Sequence, residues 1–430
     1  MNTYEEAREY LFNLLPMYQR QGGKSIKKGL ERTRELCWHL GMPHWKFPSI
    51  HVAGTNGKGS VSSMLTSILM EAGYKVGLYT SPHLKDFTER IRINGEPVDQ
   101  EDVRDFVWTY QELIEQVKPS FFELTVAMAF DFFAEEEVDI AIVEVGLGGR
   151  LDSTNIIKPE LSVITNISYD HMDMLGDTLG DIANEKAGII KNMTPVIVGQ
   201  THIETREVFQ WKADMHQAPL HFADQIWDIT PQGSDLHEQS FAVKHKDSKG
   251  KSVTIQLDLA GNYQAQNLAT CLQTVEVFRE YGWEVPIDAV KRGLAHVQAN
   301  SGLAGRMQVI QEKPMVVCDT AHNEAGVKAV LGQLSQTPHH HLHLVWGMVQ
   351  EKDHDKILKL LPKDAKYYFV RPNVPRGLDA YLLKQKAADH GLEGEVFANT
   401  NEALVQVVLQ ADPYDLVYVG GSTFVVAEAI

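Results

Sequence analysis

Positive charge, cysteine and long apolar runs are all scarce in this sequence. The 430 residues carry 40 Lys and Arg against 57 Asp and Glu, a formal net charge of −17. Nucleic-acid-binding surfaces are usually basic, so this balance argues against a nucleic-acid partner. It leaves room for a local basic pocket that holds a small anion. The three cysteines, Cys37, Cys271 and Cys318, are odd in number, far apart and without CxxC spacing. That argues against a disulfide framework or a zinc ribbon and fits a reducing compartment. No apolar run reaches the roughly 18 residues of a membrane helix. Residues 1–20 contain several acids and no basic-then-apolar pattern, so no signal peptide is expected. Fixed-period repeats and low-complexity tracts are absent as well. The expectation is a soluble cytoplasmic protein with no membrane partner.

What is present is an ordinary globular composition, 43% hydrophobic and 23% charged. Such a chain buries a sizeable core, and its length suits two or three domains of about 150 residues. Residues 4–15 and 27–40 read as amphipathic helices. A strand at 49–53, a glycine loop, a helix at 61–72 and a strand at 75–80 give a βαβ unit with a parallel sheet. Helices are expected at 100–117 and 123–135. Residues 138–145 are apolar and β-branched, as in a buried parallel strand, and Glu144 stands at its end. Further strands are expected at 161–165 and 195–198. Residues 200–252 are more polar and read as the β-rich edge of the first domain. A second α/β series follows, with strands at 315–318, 342–346, 367–370, 395–398 and 416–419. Helices at 324–334 and 401–409 lie between them. The division is expected near 299–305, giving domains 1–298 and 299–430. The run His339-His340-His341 lacks helical spacing with acids and reads as a loop before a strand.

The loop Gly54-Thr55-Asn56-Gly57-Lys58-Gly59-Ser60 lies after a strand and before a helix. Glycines let backbone amides approach an oxyanion, and the helix N-terminus adds partial positive charge. Lys58 can reach β and γ phosphates, and Thr55 or Ser60 can offer a hydroxyl to phosphate or magnesium. The generic P-loop would want Gly at 52 and Ser or Thr at 59, where Val52 and Gly59 stand.

This loop resembles that of the ATP-dependent amide-forming Mur ligases, and other motifs select a branch. The string His51-Val52-Ala53 leading into the loop, then Tyr79-Thr80-Ser81-Pro82-His83-Leu84 and Glu89-Arg90-Ile91, resembles the folylpolyglutamate synthase and dihydrofolate synthase family. So do Val143-Glu144-Val145-Gly146-Leu147-Gly148-Gly149-Arg150-Leu151-Asp152, Asp170-His171 and Glu185-Lys186-Ala187-Gly188-Ile189-Ile190-Lys191. Gly261-Asn262-Tyr263-Gln264-Ala265-Gln266-Asn267, Gly305-Arg306 and Asp319-Thr320-Ala321-His322-Asn323 complete the series. The matches run from about residue 20 to 425 in the family's order.

The resemblance implies an α/β fold. An N-terminal P-loop-type mononucleotide-binding domain with a parallel-rich sheet would be followed by a smaller, Rossmann-like C-terminal glutamate-ligase domain. It implies an ATP-dependent acid–amino-acid ligase. ATP phosphorylates a carboxylate, the amine of L-glutamate attacks the acyl phosphate, and phosphate leaves. Positioning and neutralising the converging anions is the protein's task. The implied substrates are reduced folates and dihydropteroate, and a monomer is expected.

By the same resemblance Ser81, Glu144 and His171 bind magnesium, and Lys186 is a carbamylated lysine. The plain alternative for Lys186 is a cation near phosphate, with Glu185 and Lys191 left as surface charges. Asn267, Arg306 and Asp319 are implied on the nucleotide side, so that ATP lies between the domains. His322 and Ser422 are implied near the incoming glutamate. Pro82, His83 and the aromatic pair Phe121 and Phe122 are expected at a pterin pocket, where a ring pair can stack on a bicycle. For the pair, the plain alternative is helix-start core. The competing activities are folylpolyglutamate synthesis alone and a cell-wall Mur ligase. The latter usually carries a UDP-binding domain ahead of the phosphate loop, and none is expected in the 53 residues before Gly54. Two segments depart from the family pattern: Glu351 stands before Lys352-Asp353 where aspartate is frequent, and residues 200–252 resemble nothing usable.

Overall fold

The structure is a computed structural model that describes residues 3–14, 29–234 and 236–430. Its first sheet has eight strands: β1 (Ser49–Ala53), β2 (Val76–Tyr79), β3 (Ile91–Ile93), β4 (Glu96–Pro97), β5 (Ile140–Glu144), β6 (Leu161–Ile164), β7 (Val196–Val198) and β8 (Leu220–Phe222). Their order is β4-β3-β2-β5-β1-β6-β7-β8. From β2 to β8 every pairing is parallel, and β3 and β4 add an antiparallel edge. Strands buried on both faces read as near-continuous apolar runs, and β1 and β5 have every residue buried, with Ser49, His51 and Glu144 as their polar members. The pleat sends alternate residues to opposite faces. Ile50, Val52, Leu78 and Ile142 pack with helices Lys58–Glu71 and Gln264–Glu280. Tyr79, Ala141 and Val143 face helix Phe121–Glu135 on the other side.

Among the described residues, the first expected helix spans Tyr4–Leu14, and the second spans Glu31–His39. Residue 15 and residues 27 and 28 of those two expectations lie outside the described residues. The expected helix 100–117 is two, Gln100–Thr109 and Gln111–Val117, with Tyr110 at the junction.

Residues 200–252 meet the expectation of a β-rich edge in part: β8 is the edge strand of the first sheet, but a helix precedes it. They begin with helix Arg206–Met215, whose Phe209 and Ala213 are buried. After β8 the chain forms a separate antiparallel sheet of β9 (Trp227–Ser234), β10 (Gln239–His245) and β11 (Val253–Leu257). Phe241, Val243, Ile255 and Leu257 cover helix Gln264–Glu280, and Trp227 Nε1 donates to Gln273 Oε1 at 3.0 Å. The polarity of this segment reflects one wet face, the usual condition of an antiparallel sheet.

The third sheet has six strands: β12 (Gln308–Glu312), β13 (Met315–Cys318), β14 (Leu342–Trp346), β15 (Lys366–Phe369), β16 (Gly394–Val396) and β17 (Leu416–Gly420). The order is β12-β13-β17-β14-β15-β16, parallel except for the β12–β13 hairpin. Residue 298 falls within helix Val297–Ser301, which packs on the first unit, where Asn300 Nδ2 donates to Ser67 Oγ at 3.0 Å. The chain then crosses to the third sheet through residues 302–307. The histidine run precedes β14 as expected. Its neighbour His343 is buried against Asp415, 3.0 Å away.

Candidate active site

Parallel strands of an open sheet end together, and ligands bind beyond their C-terminal ends where the strand order diverges from a central strand. Here β1 is that strand, with β5 on one side and β6 on the other. The glycine loop follows β1, Glu144 ends β5 and Asn166 follows β6. The loop is held by its neighbour. Thr55 N donates to Asn166 O at 3.0 Å, Asn56 N to Asn166 Oδ1 at 3.0 Å, and Thr165 Oγ1 to Asn56 O at 2.6 Å.

Gly57 precedes helix Lys58–Glu71 with φ +84, a left-handed conformation that favours glycine. A Cβ there would stand 2.2 Å from Asn267 Oδ1. At Gly59 a Cβ would lie 3.3 Å from the Arg306 guanidinium and 3.9 Å from Glu144 Oε2. These close approaches bring Asn267, Arg306 and Glu144 against the loop. Lys58 Nζ curls back on the carbonyls of Gly54 (3.1 Å) and Thr55 (3.2 Å).

A cavity of about 590 Å³ opens over the loop and is lined from both units. The first unit contributes the loop from Thr55 to Ser60, then Ser81, Pro82, His83, Glu144 and Asn267. Arg306, Asp319 and His322 close it from the second unit. Gly54, Phe121, Phe122, His171, Lys186 and Ser422 are not among its lining residues.

Burial pushes the Glu144 carboxyl up to about 7, against the pull of Lys58, Arg306 and the Ser81 backbone amide. A buried carboxylate beside a hydroxyl suits a hard cation. Among the described residues no three His, Cys, Asp or Glu side chains converge on one point. An ion here would therefore take few ligands from the chain and the rest from phosphate oxygens and water, as magnesium does. His171 precedes the short helix Met172–Leu175 with φ +50. Burial lowers its imidazole to about 3, so the ring stays neutral, the form that can ligate a metal.

Lys186 is buried behind the loop, with Nζ donating to Gly54 O at 2.9 Å. Burial, then the Lys58 charge, lowers its amine to about 7. Lys191 is not the surface charge expected. It donates to Asn155 O at 3.0 Å, and burial brings it down to about 8. Glu185 is paired with Arg150 at 2.8 Å.

Asp319 is fully engaged. Its carboxylate accepts from Tyr263 OH (2.8 Å), Met307 N (2.9 Å) and Ala321 N (2.8 Å), while burial raises its pKa. Arg306 donates to Gly305 O at 3.0 Å and to the Thr320 hydroxyl. His322 Nδ1 lies 2.9 Å from Thr320 O. Ser422 caps helix Thr423–Ala429, accepting from Phe424 N at 3.3 Å, and is buried; Thr423 beside it reaches the cavity.

The aromatic pair is not brought into the cavity. Phe121 is 2% exposed, packed on Phe12 and Phe87 beneath the Arg90 guanidinium, which lies 5.2 Å from its centroid. The Phe122 ring fills the space above Gly146, where a Cβ would be 2.3 Å from Cζ. Ser120 and Glu123 form a capping box that fixes this helix start, so both rings serve packing. His83 accepts from Arg90 Nε at 2.7 Å, and its burial keeps the imidazole neutral.

Sequence reasoning gave no role to Asp170, Tyr263, Asn323 or Lys352, which the structure places around the cleft. Tyr263, Asp170 and Asn323 stand inside the family-like motifs, and Lys352 in the segment that departs from the family pattern. Position beside an assigned residue was the available signal. Asp170 lies between His171, His322 and Lys352, which outweigh its burial and hold its carboxyl well below the usual range.

Residues 52–275 match the Mur ligase middle domain, and residues 305–423 match the Mur ligase glutamate ligase domain. The dihydrofolate synthase/folylpolyglutamate synthase of Bacillus subtilis is 36% identical over 84% of this chain and 83% of its own. A probable bifunctional folylpolyglutamate synthase/dihydropteroate synthase of Haloferax volcanii is 33% identical over 99% of this chain, which spans only 50% of that relative. Among solved structures, Escherichia coli FolC in complex with DHPP and ADP superposes with a TM-score of 0.85 at 32% identity, covering 99% of this chain and 96% of that one. The bifunctional folylpolyglutamate synthase/dihydrofolate synthase of Yersinia pestis, complexed with AMPPNP and Mn ion, gives 0.83 at 29% identity, covering 100% and 97%. With the glycine loop, the buried Glu144 and both ligase domains in one order, the chain belongs to the folylpolyglutamate synthase and dihydrofolate synthase family of the Mur ligases.

Proposed function

We propose that the protein is an ATP-dependent ligase that adds L-glutamate to tetrahydrofolate, and also to dihydropteroate, through an acyl phosphate. One observation carries the reading: a single cleft joins an anion-binding glycine loop, a buried carboxylate and a second unit that presents Arg306 and His322. The E. coli relative of the same fold is in complex with DHPP and ADP.

In this scheme the loop amides and Lys58 take the β and γ phosphates, displacing the Gly54 and Thr55 carbonyls from Nζ. Glu144 and Ser81, with His171, would hold magnesium, which when bound neutralises phosphate charge. The folate carboxylate oxygen attacks the γ-phosphorus and ADP leaves. The glutamate nitrogen then attacks the acyl carbon, phosphate departs with the C–O bond electrons, and the nitrogen gives up a proton to solvent. Arg306 offers its guanidinium fork to the transferring phosphoryl group. Asn267 and Asp319 position the nucleotide, Asp319 through Tyr263 and the Met307 amide. Pro82 and His83 belong to the folate end, His322 and Ser422 to the glutamate end.

Lys186 is read as the carbamylated residue. Near neutral pH much of its amine is uncharged, and that form adds carbon dioxide to give a carbamate and one proton. Lys186→Ala should then lose activity and recover part of it with added acetate or formate. Full activity of Lys186→Arg would reject the carbamate.

The function is tested by glutamate-dependent ADP release from magnesium-ATP with dihydropteroate, tetrahydrofolate or a UDP-muramyl peptide as acceptor. Release with both pterins is expected. Release with tetrahydrofolate alone would restrict the activity to polyglutamate extension, and release with the peptide alone would refute the folate reading.

A further inference from the structure

One carboxylate at the seam between the units is used by no step of the ligation scheme. Asp170 lies in the loop after β6, with its side chain 9% exposed. Three groups of the second unit reach it. Lys352 forms an ion pair with Oδ1, Asn323 Nδ2 donates to Oδ2 at 3.1 Å, and His322 Nε2 lies 3.4 Å from Oδ2. Asn323 also exchanges two hydrogen bonds with Asn56 of the glycine loop, at 2.9 and 3.3 Å. The same Asn323 caps helix Glu324–Leu334 through Gly326 N at 2.9 Å. Asp170 thus stands before a helix N-terminus, where negative charge is favoured.

We infer that Asp170 and Lys352 form a closing latch, a positioning pair that draws the second unit onto the glycine loop and sets His322 and Asn56 in place for ligation. The hydrogen bonds and ion pairs that cross the seam here join polar side chains. Polar groups re-solvate when a cleft opens, so such contacts can part for substrate entry and product release. Lys352 suits the part, since an ammonium on a four-carbon stem can engage and release a carboxylate without a fixed fork. Tyr263 and Asp319, by contrast, join the units at a hydrogen-bonded contact beside the crossing chain. The latch adds a second polar crossing, made by Lys352, His322 and Asn323 on Asp170.

The inference rests on the ligase reading for its kinetic arm only. Lys352→Met and Asp170→Asn should each lower kcat by about tenfold or more, with KM for ATP within about threefold. Partners in one latch are not additive, so the double variant should match the worse single variant. Lys352→Arg should keep most of the activity. Small-angle X-ray scattering with and without magnesium-ADP supplies a readout independent of turnover. Wild type should contract on binding, and Lys352→Met should not. Multiplicative losses, kcat within twofold of wild type, or equal contraction of Lys352→Met would overturn the latch. A lowered melting temperature with unchanged kcat and scattering would overturn it too, in favour of a static seam. Absence of ligation by wild type would refute the proposed function, while scattering still decides the latch.

Discussion

Each charged side chain near the cleft is where it is because its partner differs. Lys58 and Lys186 share the Gly54 carbonyl, yet only Lys58 lines the cavity. Lys58→Ala should therefore remove phosphate compensation and lower kcat at least about a hundredfold, close to 3 kcal/mol. Single-turnover ADP release would check it, and activity within about tenfold of wild type would remove Lys58 from the phosphate. Away from the site, Asp131 on helix Phe121–Glu135 is buried, and burial, with Glu135 beside it, raises its carboxyl from 3.8 to about 6. A carboxyl whose folded pKa is raised holds its proton in the folded state after the unfolded chain has lost it. Stability therefore falls as pH rises from about 4 to 6 and stays lower above. Asp131→Asn lacks that loss. It should match wild type near pH 3.5 and exceed it at pH 7 by on the order of 1–3 kcal/mol in urea unfolding. A gain that is equal at both pH values would point to packing instead.

At the scale of elements, what could be read from the sequence was what alternation and β-branching encode. The strand 49–53 is found as expected, and Glu144 falls at the end of β5 because the apolar, β-branched run 138–145 carries acids only near its two ends. Five strands of the second unit were legible for the same reason. The hairpin strand β12 was not, since Gln308–Glu312 is half-exposed and carries no apolar run. Helix Arg206–Met215 was missed because its buried side is narrow. Phe121 and Phe122 show the limit for site residues, as an aromatic pair at a helix start looks alike whether it faces ligand or core. Glycines are more telling. Gly57 needs φ +84 and leaves no room before Asn267. Gly57→Ala should push Asn267 away, strain the loop and weaken ADP binding at least about tenfold by calorimetry, with little change in fold. Unaltered binding would separate Asn267 from the nucleotide side.

For the whole molecule, the arrangement that sequence could not supply is the seam itself. Asn56, Asp170, Asn323 and Lys352 are separated by up to hundreds of positions, and no local period links them. Only folding of both sheets brings them together, beside the cavity that Asn56 lines. A ligand in that cavity should therefore couple the units thermally. Binding to the folded state alone stabilises by about 2.7 kcal/mol at a hundredfold excess over Kd. With unfolding entropy near 2.1 cal/mol/K per residue, about 0.9 kcal/mol/K for a chain this long, the shift is about 3 °C if both units melt together. If they melt apart, each transition carries less entropy and moves further for the same free energy. Differential scanning calorimetry with magnesium-ADP distinguishes the cases. Because Asn267 and Lys58 come from one unit and Arg306 and Asp319 from the crossing and the other, both transitions should rise or merge. A second-unit transition that stays fixed would mean that nucleotide is held by the glycine loop alone, and that closure of the cleft waits for glutamate rather than ATP.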